Sequence, residues 1–196
     1  SATMKPQKVY DIEILHGYFL VAFKCLATGA VELFEMYDGK DFDRAGVLRV
    51  ITTAEIIGFN SNNFDTPLLS LAMKRGTTVA QLKAATNAII SENLRPWQFS
   101  SRFNVSILEM DTIDLIEVAP GMASLKIYGG RMHCPKLQDL PFEPEDTILP
   151  AHRQMLRTYC VNDLDTTIAL YRQLQPQIDL RRKMSVQYDQ DLRSKS

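Results

Sequence analysis

The chain has 196 residues, 45% hydrophobic and 23% charged, a mixture that suits one globular domain. That apolar content excludes a chain disordered throughout, because enough surface can be buried to offset the entropy of ordering. Twenty-two Lys and Arg stand against twenty-three Asp and Glu, for a net charge of −1, so bulk charge demands no nucleic-acid partner. Any basic track must be local.

In chain order, Val9 to Leu15 alternates as a strand does, and the β-rich run Tyr18 to Phe23 follows. Gly17 between them predicts a hairpin. Val31 to Tyr37, after the Thr28-Gly29 turn, completes an antiparallel meander. Asp41 to Val50 has helical spacing. A buried strand, Glu55 to Phe59, then ends in the polar cluster Asn60-Ser61-Asn62-Asn63.

Thr66-Pro67 opens a helix, with Pro at an early position where its missing N–H costs nothing. Thr78 to Glu92 reads as a second helix, and Arg95 to Ser106 as polar and irregular. Another short strand falls within Ile107 to Val118. Ser124 to Tyr128 reads as a short helix stopped by Gly129-Gly130, and Pro135 to Pro150 as a loop. Ala151 to about Met184 reads as one long helix. Strands first, then alternating helices and strands, predict a mixed α/β sheet covered by helices.

Three cysteines, Cys25, Cys134 and Cys160, are widely spaced without a CxxC pair, so a disulfide framework is not expected. His16, His133 and His152 lack a second ligand at zinc spacing, although His133 adjoins Cys134. No apolar run approaches the ~20 residues of a membrane span. A cytoplasmic monomer without a membrane partner is the expectation. Ser1-Ala2-Thr3 before Met4 resembles a cleavage scar from an expression tag.

Three groups of acids bear on chemistry. Asp11 and Glu13 alternate on the first strand and so project to one face, while Ile12 and Ile14 face the other way. Two acids on one strand face repel; a cation between them removes the objection, and a solvated edge strand is the plain alternative. Asp65 ends the cluster after the buried strand, where a sheet presents its chemistry, yet its plain reading is a helix N-cap. Tyr159 and Asp163 lie four residues apart on the last helix and stack on one face, with Asp165 turned away.

In this order the motifs Asp11-Ile12-Glu13, Asn60-Ser61-Asn62-Asn63-Phe64-Asp65 and Tyr159-Cys160-Val161-Asn162-Asp163 resemble the DEDDy class of 3′–5′ exonucleases. That class includes the proofreading domains of DNA polymerases. Gly58 to Pro67 is especially similar to the second exonuclease motif of family B polymerases. The histidine subclass would carry His at position 158, where this chain has Thr158. The resemblance spans Asp11 to about Leu170. It implies a ribonuclease-H-like mixed sheet: an antiparallel three-strand meander followed by parallel strands, with helices on both faces.

The resemblance also implies a site. Asp11, Glu13, Asp65 and Asp163 would hold two Mg²⁺ or Mn²⁺ ions about 3.5–4 Å apart, the hard oxygen ligands speaking against zinc. Tyr159 would orient the attacking water, since a phenol that ordinarily ionises near pH ~10 is a poor general base. The substrate would be single-stranded DNA or a frayed primer 3′ end, released as nucleoside 5′-monophosphates. Phe64 would stack on terminal bases, Asn60 would contact substrate, Leu15 would pack on the terminal nucleotide and Lys126 would touch a phosphate.

Each of these contacts has a structural alternative: a core Phe64, a turn Asn60, a core Leu15, a solvated Lys126. Trp97 and Phe99 are expected against the core rather than along a single-strand channel. Asp114, which ends a short strand, would be a spare acid adding negative charge near such metals rather than one of the four, and Asp111 competes with it for attention. Residues 4–172 form the expected exonuclease domain. Residues 173–196 form a helix or connector that resembles one in bacteriophage polymerases, leading to a polymerase domain in cis or one supplied in trans. The host cytoplasm is the compartment if the source is viral. An exoribonuclease of the same fold, or a catalytically silent nucleic-acid-binding module, is the alternative.

Overall fold

The computed structural model describes residues 4–118 and 140–193. Strands β1 (Gln7–Leu15), β2 (Tyr18–Cys25) and β3 (Val31–Met36) form the expected meander, with Asp11 opposite Ala22 and Glu13 opposite Leu20. Gly17 closes the β1–β2 turn at φ +79°, a conformation that costs a side-chain-bearing residue energy and glycine little. On the other edge of β1 runs β4 (Glu55–Gly58), parallel to it, and β5 (Thr112–Asp114) is parallel to β4. The sheet order is β3-β2-β1-β4-β5. Every residue of β4 is buried, as in a parallel strand covered on both faces.

Alternation along β1 and β2 divides the core in two. Tyr10, Ile12, Phe19, Val21 and Phe23 join one apolar cluster; Val9, Leu15, Tyr18, Leu20 and Ala22 join the other. The first cluster takes its helical side chains from α1 (Arg44–Thr53), α2 (Asp65–Met73), α3 (Val79–Glu92) and α4 (Pro96–Phe103). The second takes them from α5 (Leu115–Val118), α6 (Arg153–Gln173) and α7 (Gln175–Tyr188). Asp43 caps α1 by accepting from the Gly46 amide at 2.9 Å, and Thr78 and Gln81 form a capping box on α3.

Two expectations are corrected. The segment read as irregular, Arg95 to Ser106, contains α4. Pro96 starts it without losing a hydrogen bond, the Gln98 side chain accepts from the Arg95 amide, and the Phe99 and Phe103 rings meet one turn apart, tilted, at 4.7 Å between centroids. The long terminal helix is broken at Leu174, because Pro176 has no N–H to offer the Arg172 carbonyl. A 3₁₀ turn, Pro150–His152, precedes α6. The expected loop is irregular where it is described, from residue 140 to 149; its first residues and the Ser124–Tyr128 helix fall outside the described residues.

Helix α7 and the residues after it fold back onto the start of β4. Arg182 donates both terminal nitrogens to the Glu55 carboxylate, Arg193 adds a bond of 2.6 Å and Gln7 one of 2.9 Å. Burial alone would raise the Glu55 pKa; the bonds from Arg182 and Gln7 and the two guanidinium charges bring it below the usual carboxylate range instead.

Candidate functional site

Because β1, β4 and β5 are parallel, their C-terminal ends share one rim of the sheet, the place where open α/β sheets present ligand sites. Asp11 and Glu13 project from β1 between Val9 and Leu15 on the face covered by α6. Asp11 is 9% exposed and Glu13 1%, so the solvated edge strand is not what forms. One oxygen of each and the Cys160 sulfur lie within 4.8 Å of one another, and Cys160 Sγ approaches Asp11 Oδ2 at 3.8 Å.

Helix α6 is set in place by the meander. Arg157 donates to Glu35 at 2.9 Å, the Tyr18 hydroxyl donates to the same carboxylate, and the Arg153 guanidinium lies 3.5 Å from the Tyr37 ring centroid. Burial and then the Glu35 bond push the Tyr18 phenol far above its ordinary range, so it stays a donor. Arg157 lies one turn and Arg153 two turns before Cys160, and together they fix which face of α6 meets Asp11. Cys160 is the α6 residue that reasoning from the motifs passed over. Its signal was its place between Tyr159 and Asp163 on an otherwise apolar stripe.

Asp163 is 3% exposed on α6, and Tyr159, one turn earlier, is half-buried. Asp165 is exposed and pairs with Lys24, which separates the two aspartates as the helical geometry predicts. Asp65 is 5% exposed and is the first residue of α2; the N-cap position belongs to Phe64, which makes no side-chain cap, so the capping reading of Asp65 fails. Asp65 at the first turn faces the positive end of the helix. It also acts on Tyr10, whose phenol is pushed up by burial first and by the Asp65 charge second. Asp11 and Glu13, two of the four expected acids, come within ligand distance of each other and of Cys160, and Asp65 and Asp163 are buried as well.

Asp114, the spare acid, has a definite task. Its carboxylate accepts the backbone N–H of Asn60 at 2.8 Å, of Asn62 at 2.9 Å and of Ile116 at 3.2 Å. It therefore holds the loop that joins β4 to Phe64 and Asp65. Asn60 turns that loop with φ +55°, a conformation asparagine tolerates better than most side chains. Gly58 lets the loop fold back, since a Cβ there would collide with the Ser61 side chain. Burial raises the Asp114 pKa from 3.8 to about 6, against the three amide bonds that lower it. The readable sign was an acid ending an apolar strand; its partner loop, 54 residues away, was not readable. Asp111 instead meets Lys5 and Arg193 at the far rim.

Beside Glu13 a cleft opens between the end of β1, helix α3 and the segment that starts at Leu140. Leu15, Phe64, Lys83 and Phe142 line it with Glu13. Two of the expected substrate contacts, Leu15 and Phe64, thus share one cleft while also packing in the core, at 2% and 6% exposure. Asn60 holds the loop behind Phe64 rather than lining the cleft, and Lys126 lies outside the described residues. Phe99 is fully buried as expected, but Trp97 is 71% exposed, a correction: the first turn of α4 points its indole outward.

The donor set fits a hard divalent cation at Asp11 and Glu13. Two buried carboxylates on one strand face repel unless a cation or proton lies between them, and their oxygens suit Mg²⁺ or Mn²⁺. Cys160 is a soft donor whose S–H points at Asp11, and it packs in the apolar cluster. It fills space beneath the acids. No helix among the described residues is long and apolar enough to cross a membrane. No protein-family model matches the chain, and no curated protein and no solved structure is similar enough to it to count as a match.

Proposed function

We propose that this chain is a metal-dependent 3′–5′ exonuclease with a ribonuclease-H-like fold, which shortens single-stranded DNA to nucleoside 5′-monophosphates and proofreads for a phage DNA polymerase. The observation that carries the reading is the meeting of Asp11 and Glu13 at the rim of a mixed sheet, beside a cleft that also holds Leu15 and Phe64. A binding module has no use for buried carboxylates facing a polyanion. The order of the three motifs, on the elements where such a site needs them, supports the tyrosine subclass.

Asp11, Glu13, Asp65 and Asp163 would hold two Mg²⁺ or Mn²⁺ ions, which supply a water activated at neutral pH and stabilise charge around phosphorus. The rest falls to the chain's own groups. Phe64 offers a ring to the terminal base, a contact that favours a 3′ end without reading its sequence. Leu15 packs against the sugar. Tyr159, half-buried on α6, donates or accepts a hydrogen bond that orients the attacking water. Asp114 keeps Phe64 and Asp65 in position by holding their loop.

The test is a 5′-labelled single-stranded DNA oligonucleotide incubated with Mg²⁺, with Mn²⁺ or with a chelator, beside Asp11→Ala and an RNA of the same sequence. A metal-dependent ladder that shortens from the 3′ end and disappears in Asp11→Ala is expected. Absence of shortening in every metal overturns the reading, and faster loss of RNA turns it into RNA turnover.

A further inference from the structure

Lys83 is the least expected side chain in the cleft. It sits on α3, shares the cleft with Glu13 and with apolar side chains, and its own side chain is 4% exposed. Lysine is rarely buried so fully without a close partner, because its ammonium loses water that something must replace. Among the described residues the acid that faces it is Glu145, at 3.7 Å, well beyond the 2.7–2.9 Å typical of a charge-assisted bond. The Glu145 side chain is itself 70% exposed, on the irregular segment at the cleft mouth. The buried cation is therefore held by a loose, solvent-facing anion.

The same carboxylate has a second holder. Glu145 Oε2 lies 2.8 Å from Nε2 of His16, the residue that follows Leu15 at the end of β1. Chain pairing keeps His16 there: the Ile148 amide donates to the His16 carbonyl at 2.9 Å. The bond with His16, and then the Lys83 charge, hold the Glu145 carboxyl below its usual range. Lys83 and His16 thus converge on two oxygens of one anion. Pro144, the residue before Glu145, and Phe142 line the cleft together with Lys83, Phe64 and Glu13. An exposed carboxylate on an irregular segment gives way readily, since such pairs contribute little to folding. The lysine, embedded in α3, does not move with it.

We infer that Lys83 and His16 form a phosphate-binding site at the mouth of the cleft, and that Glu145 fills it in the free protein as an intramolecular substitute for a phosphodiester of single-stranded nucleic acid. This deepens the exonuclease reading and rests on it for the identity of the ligand. Lys83 contributes the charge and His16 a directed hydrogen bond. Displacement of Glu145 by a backbone phosphate then couples entry of the strand to opening of the segment from Leu140 to Leu149.

The test is binding in a chelator, where no cleavage occurs, with the full chain. The probes are a labelled single-stranded DNA whose ends carry hydroxyls, thymidine 5′-monophosphate and inorganic phosphate. Glu145→Ala, on the surface, should tighten oligonucleotide binding about threefold or more. Lys83→Met, close in length and apolar, should weaken it about tenfold and lower the salt slope by about 0.7, the loss of one phosphate contact on a single strand. His16→Ala should weaken it less. Opposite effects of Glu145→Ala and Lys83→Met are the signature, because a purely structural pair would shift both variants the same way. If the two move affinity together, or neither moves it, the site is overturned. Tighter binding of the monophosphate or of inorganic phosphate than of the oligonucleotide overturns the assignment to a backbone phosphodiester. If the oligonucleotide is cleaved in no metal and the opposite shifts persist, the nuclease reading falls while the phosphate site stands.

Discussion

The two ends of β4 bury carboxylates in opposite ways. At its start Glu55 is enclosed by Arg182, Arg193 and Gln7, and its pKa falls below the usual range. At the opposite rim Asp114 is neutralised only in part by backbone amides, its pKa rises to about 6, and Asp11 and Glu13 bring their oxygens within 4.8 Å of each other. Desolvation acts at both ends. What differs is the answer to it: guanidinium groups at the one, amides and neighbouring acids at the other. An end built for stability matches charge with opposite charge; an end that gathers like charges gives up stability, which is expected where a cation or substrate is to be received.

The largest effect that tests this contrast is at Asp11. Asp11→Asn should cut the rate of 3′ shortening by about 10³-fold, as removal of a group worth several kcal/mol to the transition state would. The same variant should leave the denaturation midpoint unchanged or raise it, because a buried charge is relieved. Loss of activity together with marked destabilisation would erase the contrast. Glu55→Ala should do the reverse, costing about 2–3 kcal/mol by urea denaturation while leaving the cleavage rate per folded molecule intact. That is less than the ~3–5 kcal/mol of a fully buried pair, because the Arg182 side chain is 32% exposed.

The pH dependence of stability should separate the two ends next. Glu55, whose pKa is depressed below its ordinary 4.5, contributes stability that is complete above that value and is lost as pH falls through its folded pKa. Asp114 behaves oppositely: with its pKa raised from 3.8 to about 6, the folded chain binds the extra proton between those values, so its contribution falls as pH rises from about 4 to 6. Denaturant midpoints measured from pH 3 to 8 should show Glu55→Gln flattening the acid limb and Asp114→Asn removing the decline between 4 and 6. The smallest effect is expected at Cys160. Cys160→Ala should cost about 1 kcal/mol of packing and change cleavage by about twofold at most, whereas a thiolate ligand would make the loss as large as that of Asp11.

Much of the fold could be read along the chain. Period-two alternation in Val9–Leu15 and the β-rich run Tyr18–Phe23 placed the meander, and Thr78 to Glu92 read as the helix that became α3. The pairing of Asp11 with Glu13 on one face was equally readable, since a strand permits no other arrangement. Helix α4 was missed because its polar majority hides the Phe99–Phe103 pair, and the break at Leu174 because Pro176 was set against a long run of good helix formers. The site was legible as types of residue and not as contacts. Asp65 and Asp163 were grouped with Asp11 by their order in the motifs, whereas the approach of Cys160 to Asp11 had no such sign.

The sequence by itself determined what is local: strand and helix periods, the glycine turn at Gly17, the capping box of α3 and the acids that share a strand face. Those depend on dihedral preferences and on neighbours a few residues apart. Only the tertiary structure decided which buried charges are matched. Glu55 and Arg182 are 127 residues apart, Asp114 and Asn60 are 54 apart, and Lys83 meets Glu145 only through the segment that crosses the cleft. The physical reason is that desolvation makes each of these charges costly until a partner arrives, and that partner is brought by the packing of the whole sheet and its helices, which no local pattern encodes.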